Sequence, residues 1–149
     1  VDEAALTAIA ARPRARLHYI VDDLIPIAGD CAELPADYRA RLARFAADSG
    51  VEIAIAEAAE KIIDLFASEL EPHFQTEESE LLPALTAAGA SPLVERTLAE
   101  HAELRDLNRR LAEPDCEILA RFATLLHDHV RFEERELFET AQDLLYPEH

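Results

Sequence analysis

Basic residues are scarce: 14 lysines and arginines stand against 31 aspartates and glutamates, for a formal charge of −17. Nucleic acids and anionic membranes are held by clustered Lys and Arg, so this balance speaks against either as a partner. Cysteine is scarce too. Cys31 and Cys116 lie far apart and in no C-x-x-C arrangement, which indicates neither a disulfide framework nor a thiolate zinc site and reads as the reduced cysteines of a cytoplasmic protein. No apolar run approaches the length of a membrane span, and the start Val1-Asp2-Glu3 lacks the basic and apolar regions of a secretory signal. Methionine is missing even from the first position, as expected of a segment trimmed from something longer. With only three glycines and no strand-type alternation in 149 residues, the expectation is one all-α domain spanning residues 1–149, long enough to bury a core without staples.

What is present is helical patterning. Residues 3 to 11 make a short first turn or a frayed tail. Pro13 opens helix one, with Leu17, Val21, Leu24, Ile25 and Ala28 on one stripe ending near Gly29. A short extra helix over 36–47 carries Tyr38, Leu42 and Phe45. Helix two starts near Val51 and runs to about Ala88, with a kink or break expected at Pro72 and Pro83. Ser91 and Pro92 open helix three, which carries Val94, Leu98, His101, Leu104, Asn108 and Leu111 on one side. Asp115 caps helix four, which ends before Tyr146-Pro147. The architecture this implies is an antiparallel up-and-down four-helix bundle with a short extra helix between helices one and two.

Nine residues occur twice in this frame. His73-Phe74-Gln75-Thr76-Glu77-Glu78-Ser79-Glu80-Leu81 returns 56 positions later as His129-Val130-Arg131-Phe132-Glu133-Glu134-Arg135-Glu136-Leu137, so both copies read H-x-x-x-E-E-x-E-L. Positions four apart lie about 40° from each other round a helix, so each histidine shares a face with the first glutamate after it. That face is the apolar one. His73 and Glu77 fall on the stripe Ala59, Ile62, Ile63, Phe66, Leu70, Phe74, Leu81, Leu85, and His129 and Glu133 on the stripe Leu119, Phe122, Leu126, Leu137, Leu144. A single H-x-x-x-E is ordinarily a surface pair. Two at core positions bury two carboxylates, each a turn from an imidazole, and buried charges are normally paired or bound to metal. A fainter match relates helices one and three, where His18 is followed by Asp23-Leu24 and His101 by Asp106-Leu107. Taken alone, His101 reads as a hydrogen-bonded core histidine and His18 lies at the edge of its stripe. His127 and His149 read as solvent-exposed, and Glu78, Glu80, Glu134 and Glu136 as a solvated flank.

His18, the H-F-x-x-E-E-x-x-L-L-P run from His73 to Pro83, the E-H-x-x-L-R run from Glu100 to Arg105 and the H-V-x-F-E-E-x-x-L-F run from His129 to Phe138 together resemble the haemerythrin-like, or HHE cation-binding, domain over about residues 13 to 145. The resemblance implies a four-helix bundle around two iron ions, oxo- or hydroxo-bridged, with His18, His73, Glu77, His101, His129 and Glu133 as ligands. Manganese is the second choice of metal. Two features depart from the family. Arg105 stands where true haemerythrins place a further histidine, which argues against simple reversible oxygen carriage. Their last carboxylate also falls five positions after its histidine, at Glu134 here, whereas helical geometry prefers Glu133. Arg105 is expected at the rim of the site, paired with Asp22 or a bridging glutamate, with a surface salt bridge as the alternative.

The function this implies is a non-haem di-iron protein that binds or reacts with a small diatomic or peroxide ligand, in sensing or in protection from oxidative or nitrosative stress. As an enzyme it would be peroxidase-like. An iron-responsive regulatory module without turnover and a metal-free helical interaction domain are the alternatives. The sequence names no protein partner.

Overall fold

The computed structural model describes residues 3–9 and 51–147. Helix one, the short helix over 36–47, His18 and Asp22 lie outside the described residues. Among those described the regular structure is all helical: α1 covers residues 3–9, α2 residues 51–87, α3 Ser91–Arg110, and α4 residues 116–145. None of them is long and apolar enough to cross a membrane.

α2 passes both of its prolines without a break. Its α-helical stretches Val51–Leu65, Glu71–Thr76 and Leu82–Ala87 are joined by π turns at Phe66–Leu70 and Glu77–Leu81, closed by Glu71 N–H to the Phe66 carbonyl and Leu82 N–H to the Glu77 carbonyl. Each π turn stands just ahead of a proline, and a turn closed by i→i−5 bonds accommodates a residue that cannot donate. Proline is nevertheless not what creates the second one. α4 joins Cys116–Phe132 to Phe138–Leu145 through its own π turn, Glu133–Leu137, which sits 56 residues after Glu77–Leu81, and there Glu139 replaces Pro83. The wide turn belongs to the repeated motif.

The turn between α2 and α3 is closed by Gly89, whose φ of +90° only glycine adopts without strain, and by Ala90 N–H bonding back to the Leu85 carbonyl. Ser91 is already helical there; Ala90 holds the cap position and makes no side-chain cap bond. At the next turn Asp115 does cap α4, its Oδ1 accepting the Ile118 N–H at 2.8 Å.

Two apolar clusters hold the helices together. One joins Phe66, Leu70 and Phe74 of α2 to Leu104 and Leu107 of α3, to Leu111 just past its end, and to Leu119, Phe122 and Leu126 of α4. The other joins Leu81, Leu82 and Leu85 to Val94 and to Phe132, Leu137, Phe138 and Ala141, with Leu6 and Ile9 of α1 packed into it. The first turn of the chain is therefore a docked helix. Two stripe residues are misplaced by simple periodicity: Leu98 and Leu144 are exposed, and the inward position beside Leu98 goes to Thr97, whose hydroxyl donates to the Leu93 carbonyl at 2.8 Å. Between the two clusters lies a layer of buried polar side chains, among them His73, Glu77, His101, His129 and Glu133.

Candidate metal centre

Each side chain of that layer is delivered by a helix whose apolar residues are anchored above and below it. α2 supplies His73 and Glu77, α3 His101, and α4 His129 and Glu133, with none of the five more than 4% exposed. His73 Nε2 lies 2.6 Å from Glu77 Oε1 and 3.6 Å from Glu133 Oε2, and His129 Nε2 lies 2.7 Å from Glu133 Oε1. His101 Nε2 is 3.9 Å from Glu77 Oε1 and 4.0 Å from Glu133 Oε1. The two glutamates, 56 positions apart in sequence, thus share one centre. One ligand atom from each of Glu77, His101, His129 and Glu133 lies within 4.8 Å of the other three. Glu133, at the four-residue step, is the carboxylate that faces inward.

The convergent atoms do not satisfy one another. Both His73 nitrogens, both Glu77 oxygens, the Nε2 atoms of His101 and His129, and Glu133 Oε1 are buried without a hydrogen-bond partner among the described residues. The short nitrogen–oxygen contacts are therefore charge contacts that miss the N–H direction. Leaving so many donors and acceptors bare in an apolar interior costs roughly 1–3 kcal/mol each. A cation among them removes that cost. Imidazole and carboxylate donors suit iron or manganese, and the residues present fit such an ion.

Outside this shell the imidazoles are held from behind. His101 Nδ1 donates to Glu78 Oε2 at 2.9 Å and His129 Nδ1 donates to Glu100 Oε1 at 2.8 Å. A carboxylate only accepts, so the proton stays on Nδ1 and Nε2 is left to face the centre. Arg105 in turn grips Glu78 at 2.8 Å and Glu71 at 2.9 Å, and Arg96 grips Glu100 at 2.9 Å and Glu136 at 3.1 Å. Phe74 fixes ring orientation, stacked on His101 with centroids 3.9 Å apart and set edge-on to His129 at 5.7 Å.

The charges follow from this packing. Burial pulls the His73 imidazole down, but the carboxylates of Glu133 and Glu77 against the ring outweigh it and hold it at about 9. His129 is likewise opposed by burial and carried to about 10 by Glu133 and Glu100. Burial and the Glu133 charge push Glu77 up to about 8 despite His73. Glu133 resists its own burial because His129, His101 and His73 surround it, and it is held well below the usual carboxylate range. Two adjacent buried carboxylates cannot both ionise cheaply, so one keeps a proton. Burial works against Glu100 as well, but His129 and Arg96 lower it; Glu71 is lowered by Arg105.

Five of the six residues singled out from sequence are thus brought together, and His18 lies outside the described residues. One expectation needs correction and another is narrowed. Glu78 is not a solvated flank residue but the partner of His101, because the π turn beginning at Glu77 aims it across to α3. Arg105 engages Glu71 and Glu78 rather than Glu77 or Glu133, and the alternative partner Asp22 lies outside the described residues. The sequence assigns no role to Arg96, and none to Glu100 beyond its place in the E-H-x-x-L-R run. Their signal was present, since Glu100 lies one turn after Arg96 and beside His101, but it is indistinguishable from a surface ion pair until α4 is placed against α3.

Fold and site define an all-helical protein whose core carries a buried histidine–carboxylate cluster able to hold a metal ion. Residues 29–141 match the Hemerythrin HHE cation binding domain, well over half of the chain. The chain belongs to that family. No curated protein and no solved structure matches it.

Proposed function

We propose that the chain is a non-haem di-iron protein that binds or reacts with oxygen, peroxide or nitric oxide, in sensing or in protection from oxidative or nitrosative stress in the cytoplasm. The observation that carries the reading is the set of buried nitrogens and carboxylate oxygens of His73, Glu77, His101, His129 and Glu133 that converge with no hydrogen-bond partners. Glu77 and Glu133, each within reach of histidines on two helices, take the bridging role, and His18 joins His73, His101 and His129 as the fourth imidazole. The finer architecture proposed is the antiparallel up-and-down four-helix bundle, with helix one and the short helix over 36–47 completing it.

Bound iron would supply coordination positions for a small oxidant and the electrons to react with it. The residues do the rest. Glu78 and Glu100 keep the Nε2 atoms of His101 and His129 turned inward, and Phe74 with the two apolar clusters keeps bulk water from the layer. Metal analysis beside His73→Ala and Glu133→Ala tests the reading. We expect about two irons per chain and near-ultraviolet bands from a bridged pair, a lowered iron content with loss of those bands in either variant, and consumption of peroxide by the reduced protein. A folded chain that takes up no metal when it is supplied, or variants with unchanged iron, would refute the centre. An iron-loaded chain inert to oxygen, peroxide and nitric oxide would leave the iron-responsive module in its place.

A further inference from the structure

We propose that the two cation positions of this centre are unequal: the position held by His101 and His129 with the two glutamates fills first, and the position at His73 fills only afterwards. The inference rests on the metal reading above and adds to it an order of loading, with Arg105 and Arg96 as the positioning residues that impose it.

Three observations separate the two sides. Four donors, from Glu77, His101, His129 and Glu133, already lie within 4.8 Å of one another, and His73 is not of that group. Both imidazoles of the group carry a carboxylate on Nδ1, Glu78 at 2.9 Å and Glu100 at 2.8 Å, whereas His73 Nδ1 has no hydrogen-bond partner among the described residues. Each of those carboxylates is gripped by an arginine from α3: Arg105 through two nitrogens on Glu78, and Arg96 on Glu100.

The chemistry follows. An imidazole that donates Nδ1–H to a carboxylate is fixed in tautomer and is a stronger donor through Nε2. His101 is locked further by the Phe74 ring 3.9 Å away, stacked within 16° of parallel. An ion arriving on that side meets donors already aimed, so little ordering entropy is lost on binding. At His73 the ring must still settle its tautomer and direction when the ion arrives. Position 105 thus contributes a clamp where a further imidazole would have contributed a donor. The clamp acts through Glu78, and its partner relay through Arg96 and Glu100 acts on the same ion.

The experiment is an anaerobic cobalt(II) titration of the full chain, followed by visible absorption and by the hyperfine-shifted exchangeable ring protons in the proton NMR spectrum. The first equivalent should saturate before the second and produce two shifted Nδ1–H signals, those of His101 and His129. His73→Ala should keep the first equivalent and lose the second. Glu78→Gln and Arg105→Gln should each weaken the first equivalent by about 10- to 100-fold and move one of its two shifted signals, which a merely structural role would leave in place. Simultaneous uptake of two equal ions, loss of the first ion in His73→Ala, or an unchanged first equivalent in both Glu78→Gln and Arg105→Gln would overturn the order while leaving the metal centre standing. A chain that takes up no cobalt refutes the centre itself.

Discussion

Metal uptake should expel protons, and the number is set by the buried layer. His73 at about 9, His129 at about 10 and Glu77 at about 8 all hold a proton at neutral pH in the metal-free chain. Each must surrender it before its lone pair can serve a cation. Filling the site near pH 7 therefore releases close to three protons from these groups, and the overall binding constant rises roughly a thousandfold per pH unit, or about 4 kcal/mol. The slope should flatten as pH passes first the Glu77 value and then those of the two histidines. Calorimetric titrations with cobalt(II), run at one pH in buffers of different ionisation heat, count the protons directly, and a pH series gives the slope. Release of fewer than one proton, or an affinity indifferent to pH, would show that the histidines and Glu77 are not protonated in the metal-free layer, and the charge assignment would fall.

The metal-free chain should show the opposite trend. His73 and His129 are raised above their ordinary 6.5, so the stability they contribute is fully present below about 6.5 and is lost as pH rises through about 9 to 10. Glu77, raised from 4.5 to about 8, destabilises increasingly over that interval, and Glu133, lowered, contributes above 4.5 and loses it on acidification. Calorimetric melting temperatures of chelated protein should accordingly peak between about 4.5 and 6.5 and fall toward alkaline pH; a flat or rising alkaline limb would contradict this. Phe74→Ala removes a side chain only 1% exposed that also stacks on His101, and should cost about 3–5 kcal/mol in denaturant unfolding. Arg105→His breaks the pairs with Glu71 and Glu78 and should alter metal content or oxygen reactivity; if neither changes, position 105 has no bearing on the centre.

Why the inner residues were legible and the outer ones were not follows from what periodicity encodes. His73, Glu77, His129 and Glu133 occupy positions where an apolar residue is due, so each breaks a pattern visible within its own helix. Glu78, Glu100, Arg96 and Arg105 break nothing. Charged residues on a helix flank are the ordinary case, and only the approach of a second helix turns Glu100 into the partner of His129, 29 residues away. The π turns explain a further part. A period of 3.6 assumes an unbroken α-helix, and the one-residue excess in each wide turn shifts the stripe beyond it. Leu144, placed inward by counting from Leu137, follows the π turn at Glu133–Leu137 and is exposed. The prolines of α2 were read as threats to the helix for the same reason, since the accommodation made at Phe66–Leu70 leaves no compositional trace.

The layer has two ways of being electrically tolerable, and both use the same atoms. Without a cation, protons on His73, His129 and Glu77 balance Glu133 and the carboxylates behind the imidazoles. A bound cation would supply that balancing charge instead, and the three groups would give up their protons to hold it. The apolar clusters on either side are complete in both cases, because none of their members is a ligand. Folding therefore need not wait for metal, in contrast to small domains that a structural ion alone holds together. A bound ion would act locally: His73, Glu77, His101, His129 and Glu133 would hold it in place of their protons, and π turns begin at both Glu77 and Glu133. A protein built this way responds to metal and to pH as competitors for a single set of lone pairs.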